Sequence, residues 1–133
     1  RPMDNARVPW LAWMSAFLLG CTTHQIDLSR CPSGSPMKGV ELYSWTSMGD
    51  WTFALVAGTN HEKSAEEIRH SSCRLTVDEL EQALTRLQKD AVVTWHTRDE
   101  EGFSQPPAAL ADRVVETGKR HGLVIARTGE SAR

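Results

Sequence analysis

The chain has 133 residues, with 15 Lys and Arg set against 17 Asp and Glu for a formal charge of −2. That length suits one small domain with one modest core. A mildly acidic balance argues against the basic stripe of a nucleic-acid binder, so no nucleic-acid partner is expected.

The first feature along the chain is an apolar run from Val8 to Gly20, free of charged side chains and preceded by Arg7. Its 13 residues fall short of the roughly 20 that a helix needs to cross a hydrocarbon core, and suit the h-region of an export signal. From hydropathy alone, the same run also fits a buried N-terminal helix of a cytosolic domain. It ends in Leu18-Leu19-Gly20-Cys21. This resembles the bacterial lipobox, where Leu, a small or apolar residue, and Gly or Ala precede a Cys. The resemblance implies that residues 1–20 are a signal peptide cut away before Cys21, whose thiol then carries a diacylglyceryl group. It implies a membrane partner through that lipid, with no other cofactor expected. Thr22 follows the Cys where Asp would favour the inner membrane. The resemblance therefore implies an outer-membrane lipoprotein facing the periplasm.

Without residues 1–20, which hold Arg1, Arg7 and Asp4, 13 basic side chains face 16 acidic ones, a formal charge of −3. Lipidation of Cys21 would leave Cys31 and Cys73 as a candidate disulfide, which could persist outside the cytoplasm. Two free thiols are the alternative. Closing a loop of about 43 residues would stabilise the fold by ~4 kcal/mol in the chain-entropy model. From Thr22 to Lys38 the chain is rich in Ser, Pro, Gly and Thr. Residues 21–38 therefore read as the lipidated Cys and a flexible tether, shortened if Cys31 is bonded to Cys73.

The domain is expected to begin at Gly39. Val40 to Trp45 and Trp51 to Val56 are rich in aromatic and branched residues, with turn residues from Thr46 to Asp50 between them, and predict a β-hairpin. Trp51, Phe53 and Leu55 share the face turned to the core. Ser64-Ala65-Glu66-Glu67 has capping-box spacing for a short helix ending near Arg69. Thr76-Val77-Asp78-Glu79 repeats that spacing ahead of Leu80, Ala83, Leu84 and Leu87, predicting a helix over 77–89. Ala91 to His96 reads as a strand and Thr97 to Gln105 as an exposed loop. Pro106-Pro107 opens a second long helix, with Leu110, Ala111, Val114 and Val115 inward and Gly122 past its cationic end. Leu123 to Ala126 predicts a short buried strand, followed by a disordered tail over 127–133.

These elements define an α+β domain over 39–126: a two-layer sandwich whose four-stranded mixed sheet, in ββααβαβ order, carries two main helices on one face. A signal-peptide helix and a flexible tether precede it. In its helix-strand-helix-Gly-strand order, Leu75 to Ile125 resembles the periplasmic domains of TolR-like proteins, a likeness of topology that carries no function.

Candidate chemistry is sparse. His61, His70 and Cys73 match no compact zinc spacing, and no metal is expected. His96, at a strand end, is the candidate for acid–base work, with Asp99 or Glu101 of the next loop as carboxylate partner. Alternation puts it on the face opposite Trp95. The serines sit in no Gly-x-Ser-x-Gly elbow, and Gly58-Thr59-Asn60, a strand terminus, lacks the glycines and lysine of a phosphate loop. Helices on one face alone would leave the other open. Tyr43 and Trp45 would then be exposed there, to bind an envelope protein, a glycan or peptidoglycan; packing of Trp45 over the hairpin is the alternative. The expected role is a lipid-anchored, non-enzymatic binding or accessory module of the cell envelope. The alternative is a small periplasmic hydrolase or transferase using His96.

Overall fold

A computed structural model describes residues 27–128. The expected signal peptide, Cys21 and Thr22 lie outside the described residues, as does the tail from residue 129.

Strand β1, Val40–Ser47, pairs antiparallel with β2, Asp50–Ala57, along their whole length. Met48 and Gly49 join them, both in the left-handed region, at φ 54° and 86°. Two such residues match the twist of the strands, and Gly49 takes the conformation without a Cβ penalty. Both strands therefore run on to the tip of the hairpin, through residues whose side chains had suggested a longer turn.

Helix α1, Ala65–Arg69, and helix α2, Val77–Leu84, each open on a complete capping box, Ser64 with Glu67 and Thr76 with Glu79. Between them Arg74–Leu75 forms a two-residue strand, β3. Helix α2 stops at Leu84, well before the expected residue 89. The Gly34 amide donates to the Arg86 carbonyl, and the Gln88 amide donates to the Gly34 carbonyl. These bonds satisfy backbone groups that a longer helix would have paired internally. Strand β4, Val92–Trp95, is followed by a 3-10 turn at Asp99–Glu101, then by helix α3, Ala108–Arg120, and strand β5, Val124–Arg127. After α3, Gly122 sits at φ 74°. The Gly122 and Leu123 amides reach back to the carbonyls of Lys119 and Gly118. That pattern is a Schellman ending, and it confirms the stop read from Gly122.

The sheet is mixed, in the order β3-β2-β1-β4-β5, with β1, β4 and β5 mutually parallel. The α+β class stands, but the sheet has five strands rather than four, because β3 adds to the outer edge of β2 at Phe53↔Leu75 and Ala54↔Arg74. Two residues are too few to show a period of two. At the other edge β5 is only half buried, with Val124 51% exposed, since among the described residues no strand pairs beyond it.

Helices α2 and α3 cover one face. Val40, Leu42, Phe53, Leu55, Val93 and Trp95 pack there against Leu80, Leu84, Ala111 and Val114. The other face is not open. Tyr43, Trp45, Ala54 and Val56 are buried against Ile68 of α1 and Phe103 of the loop after β4.

The domain also starts earlier than Gly39. Cys31 and Cys73 form a disulfide, with Cα atoms 5.0 Å apart. Leu28 packs against the core, its carbonyl accepts from the Arg86 guanidinium, and Gly34 bridges to Leu87. Much of the stretch read as tether is therefore docked, held by covalent, apolar and backbone contacts together. Among the described residues no helix is long and apolar enough to cross a membrane.

Candidate functional site

The parallel pairing of β1 with β4 sets Leu42 beside Trp95. Their outward neighbours, Glu41 and Tyr43 on one strand and His96 after the other, therefore share a face. Alternation separates Trp95 from His96 as expected. Trp95 is fully buried on the helix side, where its indole N–H donates to the Ser44 hydroxyl at 3.0 Å.

The loop after β4 closes over this face. Arg98 and Phe103 exchange backbone hydrogen bonds, and the turn between them ends on Gly102 at φ 85°. This brings the Phe103 ring within 5.3 Å of Tyr43 and 5.6 Å of Trp45. The Arg69 guanidinium lies 4.5 Å above Phe103 and donates to the Glu101 carbonyl. Ser44 and Ser104 tie the far end of the loop to β1, through Ser104 N–H to the Ser44 carbonyl and the Ser44 hydroxyl to the Ser104 carbonyl. Tyr43 is 0% and Trp45 8% exposed. The expectation of an exposed aromatic binding patch is thus overturned: Phe103 from a distant loop and Ile68 of α1 supply the cover that α2 and α3 do not.

His96 stacks on Tyr43, centroids 4.9 Å apart and nearly parallel. Among the described residues its carboxylate neighbour is Glu41, at 3.9 Å from Nε2. Glu101, the expected loop partner, is instead ion-paired with Arg98 at 3.1 Å. Arg98 also donates to the Tyr43 hydroxyl and to the Lys63 carbonyl, and Tyr43 donates to Glu41 at 2.9 Å. Burial, helped by the bond to Glu41, pushes the Tyr43 hydroxyl up, so it stays a proton donor. Burial holds His96 below the ordinary imidazole range, with Glu41 opposing. Its Nε2 is buried and has no hydrogen-bond partner among the described residues. A nitrogen enclosed in this way is poorly placed to exchange a proton with a substrate. Glu41, Tyr43, Arg98 and Glu101 form a polar clamp holding the loop to the sheet, with His96 wedged against it.

The other candidates do not converge. Cys73 is taken by the disulfide, His61 lies 4.0 Å from Glu67, and His70 Nδ1 meets the Glu66 carbonyl at 2.9 Å. Among the described residues no three His, Cys, Asp or Glu are grouped to hold a metal ion.

A concavity lies elsewhere, at the β3 edge of the sheet. It is an open cleft of about 760 Å³ whose lining includes Arg30, Arg69, Arg74, Ser71, Ser72 and Trp45. Sequence reasoning passed over it. The signal was the run Arg69-His70-Ser71-Ser72-Cys73-Arg74, whose donors gain meaning once Cys73 is bonded to Cys31.

The fold and site together define a small, disulfide-bonded α+β domain with a cation-lined cleft. The chain matches no known protein-family model, no curated protein and no solved structure.

Proposed function

We propose that the protein is a lipid-anchored component of the bacterial cell envelope, held by a diacylglyceryl group on Cys21. Its domain acts as a non-enzymatic binding or accessory module for another envelope component, a protein or peptidoglycan, at the periplasmic side of the outer membrane. The observation that carries this reading is the Cys31–Cys73 disulfide. Such bonds persist where thiols are not kept reduced, which suits an exported protein. Leu28 is docked on the core. Between Cys21 and that contact the chain spans at most ~25 Å, so the domain would work close to the membrane surface.

The rival reading, a small hydrolase or transferase built on His96, is disfavoured by the geometry. Glu101 is engaged by Arg98 and the His96 Nε2 is enclosed.

Expression in a Gram-negative host with labelled palmitate tests the proposal. The wild-type chain should take up label and fractionate with membranes, whereas Cys21→Ser should remain an unlabelled precursor. Labelling that survives Cys21→Ser would overturn it.

A further inference from the structure

We propose that the cleft at the β3 edge binds a phosphate-bearing ligand. Three arginines line it from three separate parts of the fold: Arg30 before β1, Arg69 at the end of α1 and Arg74 in β3. Among the described residues none of the three forms an ion pair with a carboxylate, unlike Arg98 and Arg113, which do. Arg74 donates to the Arg69 carbonyl, a bond that leaves its charge uncompensated. The Arg69 guanidinium instead donates to the Glu101 carbonyl and lies over the Phe103 ring, so Arg30 and Arg74 are the principal cations of the site. One carboxylate, Glu79, also lines the cleft. It accepts from the Thr76 amide within its own capping box.

Hydroxyl groups complete the donor set. Ser71 Oγ accepts from the Cys73 amide at 3.1 Å, which leaves its own proton to donate, and Ser72 lines the cleft beside it. The mixture fits phosphate better than carboxylate. A carboxylate offers two oxygens in one plane, which a single guanidinium fork satisfies. A phosphate group offers three or four oxygens directed tetrahedrally, so donors arriving from several sides are all used.

The disulfide pre-organises the site. Arg30 precedes Cys31 and Arg74 follows Cys73, so the bond that joins the cysteines also holds these two cations near each other. Fixing them before binding lowers the ordering cost that a ligand would otherwise bear.

The test is titration of the full chain, disulfide intact, with inorganic pyrophosphate, followed by amide chemical shifts, and in parallel its binding to phosphatidylglycerol vesicles. Saturable shifts confined to residues 69–74 and around Arg30 are expected. Arg30→Gln and Arg74→Gln should each weaken binding about tenfold, the effect of losing one charge-assisted contact. Arg74→Lys should fall between wild type and Arg74→Gln, since it keeps charge but loses the fork. Lys119→Gln, on α3, should change nothing. Both arginines are exposed, and melting temperatures measured alongside separate lost binding from lost folding; Ser72→Ala serves where a charge variant does not fold. Binding of pyrophosphate would assign the phosphate to a soluble ligand, and vesicle binding lost in the same variants would assign it to a lipid headgroup; either supports the site. Absence of saturable binding to both probes would overturn it. So would citrate binding as tightly as pyrophosphate, or Lys119→Gln weakening binding as much as Arg74→Gln. Because this test does not involve Cys21, its failure leaves the anchoring proposal standing, and the reverse holds equally.

Discussion

The two faces of the sheet are closed by different kinds of cover. On one, α2 and α3 lay apolar stripes at helical spacing over Val40, Leu42, Phe53, Leu55, Val93 and Trp95. On the other, a five-residue helix contributes Ile68, and a loop contributes Phe103. The helix side is apolar throughout except for Ser44, which Trp95 and Ser104 satisfy, and Thr117, which bonds to Glu81. The loop side mixes aromatic rings with Glu41, His96 and Arg98. A helix can be made to cover a face by its own periodicity. A loop has no repeating pattern to do this, so its position depends on polar contacts to residues far along the chain. Such contacts are individually modest. The helix side should therefore govern global stability, and the loop side should open locally and first.

The largest effect expected is from Trp95→Ala. It removes a fully buried ring and the bond to Ser44, and should cost about 4–5 kcal/mol in denaturant unfolding. A loss below about 2 kcal/mol would mean that the helix side is not the dominant core. Replacing both Cys31 and Cys73 by Ser should cost about 4 kcal/mol by loop-closure entropy. Amide exchange in residues 28–38 should rise in that variant, because the segment loses its covalent hold.

Phe103→Ala discriminates between the faces most directly. A cost of about 3 kcal/mol is expected, toward the low end for a buried Phe because the loop can move to fill the space. Exchange protection should fall in residues 97–105 and in α1 while α2 and α3 keep theirs; uniform loss across all helices would erase the proposed distinction.

The smallest effect is a pH dependence on the loop side. His96 is held below its ordinary 6.5 by burial, with Glu41 and Glu62 opposing and Arg98 reinforcing. The unfolded chain therefore takes up a proton there before the folded chain does. The stability tied to this imidazole is complete above about pH 6.5 and is lost as pH falls through the folded pKa. His96→Gln should flatten that part of the stability–pH curve, and a curve as steep as that of the wild type would remove His96 as the cause.

Much of the fold could be read from local signals. The hairpin followed from two branched, aromatic runs around turn residues. The two capping boxes at Ser64 and Thr76 stand as predicted, as does the helix stop at Gly122. In each case the sequence signal and the structure it makes lie within a few residues of each other. The separation of Trp95 from His96 followed from alternation alone.

The candidate site was harder to read. His96 was singled out, but its carboxylate neighbour proved to be Glu41 on the adjacent strand. That contact depends on strand register, which the sequence does not state. Tyr43 and Trp45 were assigned to the correct face but to the wrong environment, because a helix count does not reveal a loop cover. The cleft was missed because Arg30 and Arg74 are far apart along the chain and meet through a disulfide.

Local chemistry thus set where the helices begin, where α3 ends, and which strand residues face together. Folding in three dimensions added β3 to the sheet edge, docked the chain at Leu28, Cys31 and Gly34, and lowered Phe103 onto Tyr43 and Trp45. The reason is one of range: caps, turns and alternation act over a few residues, whereas Ser44 meeting Ser104, Tyr43 meeting Arg98 and Cys31 meeting Cys73 each require distant segments to be brought together first.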